Sequence, residues 1–205
     1  MAILGNSGGE LKIKTMDEVL YKTYQEVEAK HWWFVGRRKL ILQLFKKYYG
    51  SDNKAGILDV GCNGGFLVAR LQAIGYIAAG CDISAEAINY GQSQGREGLR
   101  VCALPNLPYA DSQFDAVLCL DTLEHIQDDE LAIKEINRIL KRGGLTIITA
   151  PAFMWLWGLQ DEISHHFRRY TKSELLAKIQ AAGFSIERVS YFNFFLFLPI
   201  YLVRQ

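Results

Sequence analysis

The chain has 205 residues, with 23 lysines and arginines against 22 aspartates and glutamates, a net charge of +1. That balance excludes a protein whose main task is gripping nucleic acid through phosphate neutralisation. Half of the residues are apolar and 22% are charged, which suits one folded domain with a buried core and excludes a disordered chain.

Helical periodicity runs from Asp17 to Tyr49: Leu20, Tyr24 and Val27 recur at helical spacing, as do Ile41, Leu44, Phe45 and Tyr48. His31-Trp32-Trp33-Phe34 lies between these pieces. The turn Ser51–Lys54 closes this helical front. Strands are then expected at Gly56–Val60, Tyr76–Cys81, Leu99–Cys102, Phe114–Leu120, Leu145–Ala150 and Phe184–Tyr191. Helices alternate with them at Phe66–Ile74, Ser84–Ser93, Asp129–Leu140 and Lys172–Ala182. Ser84 and Thr171 serve as N-caps. In the Asp129 helix, Leu131, Ile136, Ile139 and Leu140 are expected to face inward, and Gly143-Gly144 to end it. Strand–helix alternation predicts a doubly wound, mostly parallel α/β sheet of the seven-strand type with an N-terminal helical cap. Residues 1–50 form the cap, as part of the same domain, and 51–205 the core.

Four scattered cysteines, Cys62, Cys81, Cys102 and Cys119, match no zinc spacing and point to a reduced, cytoplasmic protein. No secretory leader is expected, and no stretch reaches the roughly 20 apolar residues of a membrane span. The apolar segment Phe192–Val203 is a candidate contact for a second copy or a membrane interface.

Ligands of doubly wound sheets bind at the carboxyl ends of the strands. After the first strand, Asp59-Val60-Gly61-Cys62-Asn63-Gly64-Gly65 makes a glycine-rich turn that lets a ligand approach the backbone. Glycines at 61, 64 and 65 do not fit G-x-G-x-x-G, which disfavours a nicotinamide dinucleotide. After the second strand comes Asp82, 23 residues beyond Asp59, a spacing that lets a carboxylate accept both ribose hydroxyls of a nucleoside. After the fourth come Asp121, Glu124 and His125, three titratable groups following an apolar strand.

These segments resemble class I S-adenosylmethionine-dependent methyltransferases, specifically their bacterial small-molecule branch. Ile57–Phe66 resembles the family's D-x-G-x-G-x-G motif. Leu107-Pro108-Tyr109 with Phe114-Asp115-Ala116-Val117, Leu123-Glu124-His125-Ile126 and Arg138–Leu145 resemble the segments around its fourth and fifth strands. The resemblance implies that Asp59, Gly61, Cys62, Asn63 and Gly64 face the methionine end of S-adenosylmethionine. Asp82 takes the ribose and Ile83 packs on the adenine. Leu120 and Asp121 flank the methionine portion, and Trp33 and Arg37 lie beside the cofactor, Arg37 toward its carboxylate. Two positions depart from the pattern. Asn63 replaces the middle glycine, and it is the next best residue for a positive φ. Ala103 replaces an aspartate, leaving the adenine to backbone groups at Ala103 and Leu104.

The expected reaction is methyl transfer to a small-molecule acceptor at oxygen, with His125 as first and His166 as second candidate for the base and no metal. Residues 151–170 form a long loop expected to roof the substrate with Met154, Trp155 and Trp157, together with Trp32 and Trp33. One alternative is a metal-assisted 2′-O-methyltransferase, which requires His125 and His166 to converge with Asp121 and Glu124. Another is a non-catalytic module that binds S-adenosylmethionine.

Overall fold

The computed structural model describes residues 28–49 and 54–191, with Trp33 described by its backbone alone. The helical pattern of residues 17–27, the turn at 51–53 and the apolar stretch 192–203 lie outside the described residues.

Five parallel strands form one sheet: β1 (Gly56–Val60), β2 (Ile77–Asp82), β3 (Leu99–Val101), β4 (Phe114–Leu120) and β5 (Leu140–Thr149). The helices are α1 (Trp32–Tyr49), α2 (Phe66–Ala73), α3 (Ala85–Ser93), α4 (Asp129–Ile139), α5 (Leu159–Ile163) and α6 (Lys172–Ala181). Strand order is β3-β2-β1-β4-β5. The chain steps outward from β1 to β3, then returns to lay β4 on the other side of β1. That reversal opens a crevice at the carboxyl ends of β1 and β4.

Alternate residues of a strand point to opposite faces, so each face of β1 and β4 has its own core. Ile57 and Leu118 share one core with Ile41 and Phe45 of α1 and Val68 and Leu71 of α2. Leu58, Val60 and Val117 share the other with Ile133, Ile136 and Ile139 of α4. Each fully buried isoleucine contributes about 1.5–3 kcal/mol of transfer free energy. Both expected caps form: Ser84 Oγ accepts the Ala87 N–H at 3.1 Å, and Thr171 Oγ1 accepts the Glu174 N–H at 3.2 Å.

Three expectations are corrected. Leu131 is 41% exposed, while Ala132 and Ile133 carry the buried stripe of α4. Leu131 lies five residues before Ile136, which turns it about 140° off that face. Second, α4 ends at Ile139 and β5 begins at once, so Gly143-Gly144 do not end a helix. Phe114 pairs with Leu140 and Ala116 with Leu145, and the glycines absorb the bulge. Gly143 has φ 76°, and a Cβ on Gly144 would lie 2.8 Å from the Asp115 carbonyl oxygen. Third, residues 184–191 form no strand; the sheet of the described residues has five strands. Phe184 and Ile186 do alternate onto the core. Alternation records which side chains are buried; a strand also needs a backbone ladder. Among the described residues no helix is long and apolar enough to cross a membrane.

Candidate active site

The turn after β1 is built from backbone hydrogen bonds. The Gly61 and Cys62 N–H groups both donate to the Cys81 carbonyl, at 2.8 and 3.0 Å. Gly61 has φ 76°, and a Cβ there would lie 2.3 Å from Thr122 Oγ1. Asn63 takes φ 51°, the left-handed conformation that the missing glycine would have supplied. Asp82 ties this turn to β2: Oδ2 accepts the Asn63 N–H at 2.8 Å and Oδ1 the Ser84 N–H at 2.9 Å. Asp59 is buried beside it. Burial, opposed by Arg37 and reinforced by Glu28 and Asp82, pushes its pKa up to about 7.

One cavity joins these groups. Asp59, Gly61, Cys62, Asn63, Asp82 and Ile83 line it, and so do Ala103, Leu104 and Leu120. Arg37, Asp121, His125 and His166 line it as well. Gly64 stands apart from the lining, its carbonyl accepting from Arg96 Nη1 at 2.6 Å. The expectation for the Trp33 side chain lies outside the described residues. Arg37 forms an ion pair with Asp121 Oδ2. Thr149 Oγ1 donates to Asp121 Oδ1 at 2.8 Å, so both carboxylate oxygens are engaged.

The opposite wall begins at a 3-10 turn, Leu123–His125. Glu124 is 1% exposed. Burial, reinforced by Asp121, raises its carboxyl well above the usual range. Burial and His166 push His125 down to about 4, against the pull of Asp121. Among the described residues, Glu124 Oε2 and His125 Nδ1 are buried with no hydrogen-bond partner. The rings of His125 and His166 meet edge to face, centroids 4.7 Å apart. His166 Nδ1 lies 2.9 Å from Asp161 Oδ1, and burial, opposed by Asp161, lowers its pKa. Glu124, His125 and His166 each offer one metal-ligand atom within 4.8 Å of the others. Three of the four residues that the metal alternative requires form this group; the fourth, Asp121, is bonded to Arg37 and Thr149.

The roof differs from expectation. Met154, Trp155 and Trp32 are 51%, 55% and 59% exposed, and Trp157 does not line the cavity. Phe153 and Leu156 line it instead. A 3-10 turn spans Met154–Leu156, and three residues per turn put positions 153 and 156 on one side. Sequence reasoning also missed Glu28, Thr122, Asp161 and Arg169. Nothing in the sequence marks Glu28, which lies more than 30 residues from the glycine-rich turn. Its Oε2 is buried with no partner among the described residues, and its charge acts on Asp59. Arg169 follows Phe167-Arg168 near the end of the 151–170 loop, and its partner Asp161 carries no pattern.

The family profile of the methyltransferase domain matches residues 58–148. A ubiquinone biosynthesis O-methyltransferase of Xanthomonas oryzae pv. oryzae is 30% identical over 155 residues, covering 66% of this chain. This chain spans 65% of that relative's length. A second protein of that name, from Glaesserella parasuis, is 28% identical and covers 83% of this chain and 87% of its own. Among solved structures, an S-adenosylmethionine-dependent methyltransferase from Mesorhizobium loti aligns with a TM-score of 0.62 at 17% identity. It covers 73% of this chain and 83% of its own. The YcgJ protein of Bacillus subtilis aligns with a TM-score of 0.60 at 24% identity, covering 70% and 68%. The profile match spans the glycine-rich turn, Asp82 and the Leu123–His125 turn: residues 58–148 carry a methyltransferase domain, and the chain is similar to S-adenosylmethionine-dependent methyltransferases in sequence and fold.

Proposed function

We propose that the protein moves a methyl group from S-adenosylmethionine to a hydroxyl oxygen of a small molecule. One observation carries this reading: a single crevice has the Gly61–Asn63 turn and Asp82 on one side and the His125–His166 pair on the other. The residues on the first side fit the cofactor. Gly61, with no side chain, lines the crevice with its backbone. Buried Asn63 Oδ1 and Glu28 Oε2, without partners among the described residues, remain as acceptors for its amino and hydroxyl groups. Asp82 would take the ribose, with Ile83 and the Ala103–Leu104 backbone at the adenine. Asp59, Leu120, Asp121 and Arg37 would surround the methionine end, with Cys62 packed beneath. In the domain division we favour, residues 1–50 are a cap that lends Glu28 and Arg37 to the core of residues 51–205. Four free cysteines support a reducing, cytoplasmic setting.

When bound, the cofactor supplies a methyl on a positive sulfonium, and displacement by oxygen leaves a neutral thioether. The chain's part is to align the acceptor, exclude water and remove the hydroxyl proton. His125, held down to about 4, is a weak base at neutral pH. We assign the proton to His166, whose Nδ1 faces the Asp161 carboxylate and which can therefore bear the developing charge. The names of the curated relatives support oxygen as the acceptor atom. Phe153 and Leu156 over the crevice support an acceptor carrying an apolar ring.

A second reading, a divalent ion that orients the acceptor, is favoured by the convergence of Glu124, His125 and His166. These three would hold the ion, and it would supply a Lewis acid at the hydroxyl.

Calorimetric titration with S-adenosylhomocysteine tests the first reading. Saturable binding by the wild type, lost in Asp82→Ala, is expected; no binding by the folded wild type overturns it. Labelled methyl transfer to a panel of small phenols, run with and without EDTA, then separates the two readings. Activity lost with EDTA and restored by Mg²⁺ or Zn²⁺ selects the ion.

A further inference from the structure

The lid between β5 and α6 buries a charged pair that nothing in the crevice requires for packing. Asp161 is fully buried. Its Oδ1 accepts Arg169 Nε at 2.7 Å and its Oδ2 accepts Arg169 Nη2 at 2.9 Å. Oδ2 also accepts the Gly158 N–H at 2.9 Å. Arg169 is 9% exposed, and its Nη1 donates to the Ala152 carbonyl at 3.1 Å. Burying two charges is costly unless their hydrogen bonds are complete, and here nearly every one is used. His166 Nδ1 also lies against the carboxylate, 2.9 Å from Oδ1. The backbone repeats the link, since the His166 N–H donates to the Asp161 carbonyl at 2.9 Å.

We propose that Asp161, locked by Arg169, is the positioning residue of the transfer reaction: it fixes the ring and the tautomer of His166. A carboxylate held by a bidentate guanidinium carries no proton to donate, so His166 Nδ1 must donate to it. Nε2 then carries the lone pair, on a ring that lines the crevice. His125 meets the ring edge to face, with Glu124 and Asp121 beyond it. The Phe167 N–H donates to the Glu124 carbonyl at 2.7 Å, which pins the next residue and removes the ring's backbone freedom. The device rests on the methyl-transfer reading, and it serves a proton-accepting or an ion-holding Nε2 equally.

The test is long-range ¹H–¹⁵N correlation on protein labelled with ¹⁵N-histidine, read at mildly alkaline pH. His166 of the wild type is expected as the Nδ1–H tautomer. In Asp161→Asn the carboxamide cannot satisfy Arg169 and His166 with one oxygen, so the Nε2–H form should become the major one. The same variant should lose about 10–100-fold in kcat. KM for the acceptor and affinity for S-adenosylhomocysteine should stay within about twofold. Adding Asp161→Asn to His166→Gln should cost nothing further in kcat. An Nε2–H tautomer in the folded wild type overturns the proposal, even if Asp161→Asn fails to fold. So does full kcat in a folded Asp161→Asn. The tautomer is read without turnover, so absence of methyl transfer would fail the functional reading and leave the positioning result standing.

Discussion

Replacing Gly61 by alanine tests whether the turn after β1 is shaped by its lack of a side chain. Two costs can be worked from the geometry. At φ 76° an alanine is strained by about 1–2 kcal/mol. Its Cβ would also lie 2.3 Å from Thr122 Oγ1, 2.9 Å from Cγ2 and 3.1 Å from Cβ, so Thr122 must rotate or retreat. Doing so breaks its 3.3 Å hydrogen bonds to the Val60 and Leu120 carbonyls, about 1–2 kcal/mol more. The sum, about 2–4 kcal/mol, corresponds to a fall of roughly 5–15 °C in Tm for a chain of this length. Scanning calorimetry reads that fall. Titration with S-adenosylhomocysteine should show affinity reduced at least ~10-fold, because the backbone facing the ligand moves. Adding Thr122→Ala should return the contact share and leave the φ strain. A Gly61→Ala protein with wild-type Tm and affinity would refute the reasoning. A double variant no more stable than the single would show that Thr122 is not the obstacle.

The phase of α4 predicts opposite outcomes for neighbours: Ile133→Ala should cost about 2–5 kcal/mol in urea unfolding, and exposed Leu131→Ala less than about 0.5. Equal costs would show that the stripe is wrongly placed. Acid stability should depend on Asp129. Burial pushes its carboxyl up, but hydrogen bonds from Lys178 and Tyr170 and the charge of Arg168 hold it below the usual carboxylate range. A carboxyl depressed in the folded state contributes stability above its unfolded pKa of about 4, and that stability is lost as pH falls through the folded value. Asp129→Asn should therefore be less stable at neutral pH by about 1–3 kcal/mol, discounted for the partly exposed lysine, and its unfolding curve should be flatter below about pH 4. An unchanged acid limb would remove Asp129 from the account.

The parallel core and the cofactor side were legible because each element there carries its own local signal. β1 and β4 are apolar runs flanked by turns, and the turn glycines are forced by φ and by close approach. Asp82 is placed by the length of one βαβ step. The substrate side gave much less away. Phe153 and Leu156 were hidden because a 3-10 turn has a period the reading did not apply. Asp161, on the short helix α5, and Arg169 meet across eight residues whose sequence shows no periodicity, and only the fold decides that they face each other. Glu28 is brought to Asp59 by a helical front whose path no local pattern fixes. The sixth strand failed for a different reason. Alternation at Phe184 and Ile186 is real, but hydrogen-bond ladders leave no trace in side-chain chemistry.

A lid of this length cannot bury a core of its own, so its order must come from directional bonds. Successive residues hook in different directions. Arg168 pairs with Asp129 at 3.0 Å and the Gln127 carbonyl at 2.7 Å. Arg169 grips Asp161, and Tyr170 Oη donates to Asp129 at 2.8 Å. Lys178 of α6 completes the cluster on Asp129 at 2.7 Å. Apolar packing would hold the segment without fixing the orientation of a ring. Charge-assisted hydrogen bonds fix both distance and angle, which is what a histidine meeting an acceptor hydroxyl requires. Met154 joins these hooks, its Sδ accepting the Arg169 N–H at 3.1 Å, although the residue is 51% exposed. The segment is therefore ordered around His166 by polar hooks that run from Met154 to Lys178 rather than by a core of its own.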